Sequence, residues 1–207
     1  MEKLTRVSSA FNQLPLHGID LNQQARDAAA SIIIKYGLQD AFAIAALHRH
    51  RLLPEGHIMV SSWGPHYDRY WTRSSKLTAF NEHDFDPTKF ALDGDDWLPI
   101  DYQCKSSVGL KEAPSQFWRE LQECVKSWCT EKALGIQRIH DGHYVEYQEE
   151  DGEMSIKANH VEIDKEYLMP TAWAVQPLKD GSITYTEIMH CPRRDPNDPK
   201  SHIGPVP

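Results

Sequence analysis

Apolar residues first recur at helical spacing over residues 21–36, where Leu21, Ala25, Ala28, Ala29, Ile32, Ile33 and Tyr36 share one face. Asp20 is the expected N-cap, and Gly37 suits the position just past the helix end. The period then changes to that of a strand. The stretch Phe42–Val60, FAIAALHRHRLLPEGHIMV, begins as an apolar strand expected over about 41–51. It turns through Leu53-Pro54-Glu55-Gly56 and opens a second strand, about 57–63, with His57. The two are expected to pair as a hairpin. Residues 64–100 carry the least regular pattern. Loops this long within a domain are usually functional or disordered, and the density of Trp, Tyr and Phe argues against disorder. The segment therefore reads as an ordered aromatic cover over one face of the sheet. Trp97–Cys104 reads as a short strand, which Pro99, lacking a ladder donor, places at an edge or a bulge.

A second helix is expected from Pro114-Ser115, with Ser115 as N-cap, a face of Phe117, Leu121, Cys124, Val125 and Trp128, and Gly135 as its end. It runs into a strand over 136–147. Two turn signals then predict hairpins: Glu150-Asp151-Gly152 joins 143–149 to 153–163, and Lys179-Asp180-Gly181 joins 171–178 to 182–190. The two helix-Gly-strand units echo each other, with too little identity to define a repeat. The order of elements gives an α+β fold, with a mostly antiparallel curved sheet and two helices packed on one face. Residues 1–190 form a single domain, and 191–207 a flexible Pro-rich tail.

At 207 residues the chain is long enough for one full-sized core. Its net charge of -8 excludes a nucleic-acid backbone as the expected partner. No apolar run reaches the length of a membrane span or a signal peptide, so a soluble cytoplasmic protein is expected. Cys104, Cys124, Cys129 and Cys191 form no CxxC pair and read as reduced thiols. The pattern sets no oligomeric state.

The candidate chemistry lies in the His-rich stretch. On a continuous strand, Phe42, Ile44, Ala46, His48 and His50 share a face. His-x-His places two ring nitrogens on one side, and a carboxylate or a further His supplies the rest of a ligand set for a divalent transition metal. His48, His50, Glu55 and His57 are the candidate ligands. His48 and His50 are the candidate catalytic groups, by metal chemistry or by acid–base chemistry near neutral pH. Trp63, Tyr67, Tyr70, Trp71 and Trp97 are the candidate substrate-binding residues. The chain lacks a Gly-x-Ser-x-Gly elbow and any Gly-rich phosphate loop. Asp93–Asp96 lacks the spacing of a calcium loop. The expected function is a small soluble enzyme acting on an organic small molecule. The alternative is a non-catalytic module that binds a small molecule or a protein, its histidines held by backbone or water.

Two resemblances bear on this stretch. His48-x-His50-x4-Glu55 is similar to part of the first cupin motif over about ten residues; the glycine before the first His and the second motif have no counterpart, so it implies metal chemistry without the cupin fold. Lys35-Tyr36-Gly37, Phe42-Ala43-Ile44 and Leu47-His48-Arg49-His50 resemble a set of small uncharacterised proteins from filamentous fungi, most clearly over residues 30–60. That set has no established activity, and the resemblance implies only that the Leu-His-Arg-His element is a feature of the group.

Overall fold

Asn22 caps the first long helix: its side-chain oxygen accepts from the backbone N–H groups of Gln24 (2.8 Å) and Ala25 (3.4 Å). The helix ends in a Schellman turn. Leu38 N–H bonds Ile33 O, Gly37 N–H bonds Ile34 O, and Gly37 takes φ +62°. The computed structural model describes residues 6–16, 21–64, 69–79, 81–105, 111–139, 144–148, 154–158 and 164–193. Within these lie helices α1 (Val7–Asn12), α2 (Gln23–Lys35) and α3 (Ser115–Ser127). The strands are β1 (Phe42–Ala46), β2 (His57–Gly64), β3 (Arg69–Lys76), β4 (Phe85–Asp93), β5 (Asp96–Cys104), β6 (Leu134–Arg138), β7 (Tyr144–Gln148), β8 (Met154–Ala158), β9 (Leu168–Pro177) and β10 (Ile183–Pro192).

The fold is α+β with a mostly antiparallel curved sheet, and the sheet closes on itself. Its order is β1-β6-β4-β5-β2-β3-β8-β7-β10-β9, with β9 returning to β1. Only the pairs β2–β5 and β7–β10 are parallel among the described residues. One apolar cluster joins the buried faces of α2 (Ala25, Ala29, Ile33) and α3 (Phe117, Leu121, Val125) to Phe42, Ile44, Leu134, Ile136, Trp173 and Val175. Phe42 is its centre: it stacks on Phe117 at 5.8 Å between ring centroids and meets Phe90 and Trp118 edge-on. The alternate positions of the same strands, including Ala43, Ala45, Ala91 and Ala172, belong to the opposite face, which lines the barrel.

Several expectations are corrected. β1 ends at Ala46 and does not pair with β2; its neighbours are β6 and β9. All five of its residues are buried, as suits a strand covered on both faces. Residues 64–100 are not an aromatic cover, because β3, β4 and β5 lie there. Their alternation is hidden because the inward side chains, such as Tyr70, Thr72, Lys89 and Asp101, are polar. The N-cap of α3 is Pro114, not Ser115. That helix closes at Cys129, which takes the left-handed φ of 52°. Gly135 instead sits within β6, opposite Ala45. A Cβ there would come within 2.5 Å of Phe90 O, and closer still to the Leu47 side chain. Gly135→Ala is therefore expected to destabilise by about 1–3 kcal/mol, since backbone must move to admit the methyl group. Urea denaturation measures it, and an unchanged midpoint would contradict the close approach. β10 continues through Cys191 and Pro192, past the point where the tail was expected to begin. The Glu150-Asp151-Gly152 turn lies outside the described residues, but β7 and β8 on either side of it pair antiparallel. The turn at Lys179-Asp180-Gly181 joins β9 to β10, with Gly181 at φ +84°.

The closed order has a property that explains how the chain builds it. Exchanging β1 with β6, β2 with β7, β3 with β8, β4 with β9 and β5 with β10 returns the same ring of neighbours read in the opposite sense. Each half is one long helix followed by five strands. The helices are equally long, and residues 23–46 correspond to 115–138 without a gap. Both helices end in Schellman turns, at Gly37 and Cys129. Their strands pair about Ile44 and Ile136. The irregularities correspond too. In β4–β5 the extra residues Thr88 and Ile100 isolate the pair Lys89↔Asp101. In β9–β10 Thr171 and Ile188 isolate Ala172↔Met189. The chain is a structural duplication whose sequence trace has almost gone.

Candidate functional site

β1 delivers the chain to one end of the barrel, and Leu47–Gly56 turns there. Two anchors fix this turn to the N-terminal segment. Asn12 bonds both the N–H and the carbonyl of Leu53, at 2.7 and 2.8 Å. Arg49 donates from its backbone N–H to Pro15 O (2.8 Å) and from Nε to Leu14 O (3.0 Å). With the backbone held, His48 and His50 face each other even though they no longer lie on a strand. Their Nε2 atoms are 3.1 Å apart. His48 Nδ1 lies 3.1 Å from Ala46 O, so Nδ1 is the donor and Nε2 is the nitrogen turned to His50.

β10 supplies the third group. Cys191 Sγ lies 3.5 Å from His50 Nε2, and the ligand atoms of His48, His50 and Cys191 all fall within 4.8 Å of one another. Bonds of about 2.05 Å to nitrogen and about 2.3 Å to sulfur in a tetrahedral site place N and N about 3.3 Å apart, and N and S about 3.5 Å apart. The His48–His50 and His50–Cys191 separations are of that size, and the His48–Cys191 pair lies within 4.8 Å. Cys191 is buried, His48 nearly so, and burial pushes the Cys191 thiol well above its ordinary range; the charge of Glu146 adds to the shift and Lys89 opposes it. Without a metal, then, this is a thiol.

His48 and His50 border a small cavity of about 10 Å³ that also touches Phe11 of α1, Arg49, Arg51, Lys89, Asp101 and Glu146. Beyond these charged groups lies a second cavity of about 30 Å³, lined by side chains from β2, β3, β4, β5, β6, β7 and β10 and so enclosed by the barrel. It has room for about two water molecules. Between the two, Lys89 Nζ stands 3.5 Å from Asp101 Oδ2 and 3.9 Å from Glu146 Oε2. Burial pulls the Lys89 pKa down, but Glu146 and Asp101 outweigh it and the net shift is upward. Burial likewise raises Asp101, against the pull of Lys89. Ser61 and Thr72 hydroxyls pair at 2.7 Å on the same interior face.

The other expected site residues separate. Glu55 is exposed at the turn, and His57 opens β2 opposite Lys76; neither joins His48 and His50. Tyr70 lines the larger cavity. Trp71 alternates away from it, with the Arg73 guanidinium over its ring at 5.6 Å. Trp97 packs outside the barrel, donating from Nε1 to Trp118 O at 3.0 Å. Tyr67 and the Trp63 side chain lie outside the described residues. Sequence reasoning missed Cys191, Lys89, Asp101, Gln137 and Glu146. Cys191 alone carried a signal, continuing the strand alternation two residues beyond Met189.

Among the described residues no helix is long and apolar enough to cross a membrane. None of the four cysteines forms a disulfide. No protein-family model matches the chain, no curated protein matches its sequence, and no solved structure matches its fold.

Proposed function

We propose that the protein is a small metal-dependent enzyme, in which His48 Nε2, His50 Nε2 and Cys191 Sγ hold a divalent transition metal at one end of the barrel. The observation that carries this is the convergence of three ligand atoms, from two segments far apart in sequence, within 4.8 Å of one another, with two of the three pairs at separations a tetrahedral ion would impose. Ala46 O supports the reading as the outer partner that orients His48. Three protein ligands leave a position for substrate or water. The cavity bordered by Lys89, Asp101 and Glu146 is where that position would open, and these groups supply a fixed cation and two carboxylates for proton transfer. Taken together with α2 and α3 as one layer on the outer face of β1 and β6, this leaves the interior to the substrate, and the cavities favour a small polar molecule. The reduced thiols fit a cytoplasmic setting.

A second reading is favoured by the same 3.1 Å separation, which is also a hydrogen-bond length. Here His50 Nε2–H donates to His48 Nε2, the group is structural, and the protein is a binding module. Mass spectrometry of untagged, chelator-free protein separates the two. The enzyme reading expects one transition-metal ion per chain, lost in His48→Ala/His50→Ala. Metal-free parent protein that also fails to take up added zinc or cobalt would leave the binding module.

A further inference from the structure

Lys89 and Asp101 occupy a position that the fold provides twice. In the other half of the duplicated chain the same bulge-flanked pair is Ala172 and Met189. The fold therefore does not require charge there. Burying an ion pair is costly, and apolar residues of fitting volume often serve stability as well or better. One half nevertheless spends that stability, and it does so where the polar cavity lies. A second observation points the same way. Asp101 Oδ1 and Gln137 Oε1, on residues 8% and 4% exposed, have no hydrogen-bond partner among the described residues, and both residues line the cavity. Buried acceptors without donors cost more than a kilocalorie per mole each in general, so a site that keeps them is shaped for something that donates.

We infer that the cavity formed by Ser61, Lys89, Asp101, Gln137, Tyr144 and Met189 binds a small neutral molecule with N–H donors, of the amide or urea class. The donors of such a molecule meet Asp101 Oδ1 and Gln137 Oε1. Its carbonyl oxygen accepts from the Lys89 ammonium, which has three protons and carboxylate oxygens only at 3.5 and 3.9 Å. An anion is disfavoured, because two carboxylates face one lysine. The cavity of about 30 Å³, with room for about two water molecules, admits only the smallest members of that class. This goes beyond the metal site and is independent of it, since His48, His50 and Cys191 line none of this cavity.

The test uses full-length protein labelled with methyl-13C methionine, kept in chelator throughout. Met189 lines this cavity, Met59 borders the smaller one, and Met169 touches neither. Formamide and formate are the probes, alike in size and opposite in hydrogen-bond character. The expected result is a saturable shift of the Met189 methyl resonance with formamide and none with formate. A Lys89→Ala/Asp101→Met variant, which copies the other half of the fold, should lose the shift while the Met169 methyl, which touches neither cavity, keeps its folded resonance. Gln137→Leu, which removes one acceptor and no charge, should weaken the shift several-fold. The inference is overturned if formamide leaves Met189 unmoved, if formate moves it as far, or if either variant keeps the shift in full. With chelator present, failure of the metal reading changes none of these readouts.

Discussion

Lys89→Met is expected to cost about 3–5 kcal/mol of stability at neutral pH, the usual penalty for removing one partner of a buried ion pair. The lysine stands 3.5 Å from Asp101 and 3.9 Å from Glu146, and Arg49 and Arg51 line only the smaller cavity. Methionine fills its volume but leaves the carboxylates facing each other in a water-poor interior. The pH dependence identifies the cause. Burial raises the folded pKa of Asp101 above its ordinary value of 3.8, and Lys89 pulls it back. A carboxyl whose pKa is raised by folding binds its proton more tightly in the folded state. Stability is then highest below the unfolded value and falls as pH rises through the folded one. Removing Lys89 lifts that folded value further, so the variant should fall more steeply above pH 3.8 and approach the parent below it. Urea denaturation across that range measures this. A deficit independent of pH would mean lost packing, not an uncompensated charge. The comparison with Lys89→Ala/Asp101→Met is informative, because the double change removes charge of both signs together.

How much of this was legible in the sequence depends on which side of the barrel a residue faces. The outer face was readable. Ala25, Ala29 and Ile33, and Phe117, Leu121 and Val125, lie at helical spacing because they bury one stripe against the strands. The Gly37 stop and the Lys179-Asp180-Gly181 turn were readable because positive φ demands particular residues. The interior was not. A barrel that keeps Tyr70, Thr72, Lys89, Asp101 and Glu146 inside writes its alternation in polar residues, so β3 and β4 looked like loop, while β5 was legible over Trp97–Cys104. The duplication showed only as a faint echo of two helix-Gly-strand units, for a related reason. A Schellman turn closes one helix at Gly37 and the other at Cys129, and the corresponding cavity pairs are Lys89–Asp101 and Ala172–Met189. Geometry is shared at these positions while chemistry is not. The His48–His50 half of the site could be seen because two residues apart in sequence are close in almost any conformation. Cys191 could not, since only closure of the sheet brings β10 to the end of β1.

That third ligand sets the behaviour expected of the metal site. Cobalt affinity should rise about tenfold per pH unit above pH about 7, beyond the ordinary titration range of an imidazole. The reason is the Cys191 thiol, which burial holds well above its ordinary 9.0 and which must give up its proton to bind. In the metal-free protein the same shift has the opposite consequence. A thiol whose pKa is raised by folding contributes stability that is lost as pH rises through the folded value. Bound cobalt should therefore remove an alkaline loss of stability that the apo protein shows. Cys191→Ser should lower affinity by more than about 100-fold, beyond what the loss of an outer partner costs, and should abolish both the thiolate-to-cobalt charge-transfer band and the slope above pH 7. His48→Ala should weaken binding while keeping band and slope, because the thiolate is still present. Titration by absorbance at several pH values distinguishes these outcomes. Tight binding with no slope above pH 7 and no charge-transfer band would mean that cobalt sits on nitrogen and oxygen alone, and Cys191 would then be a buried thiol that only packs against His50.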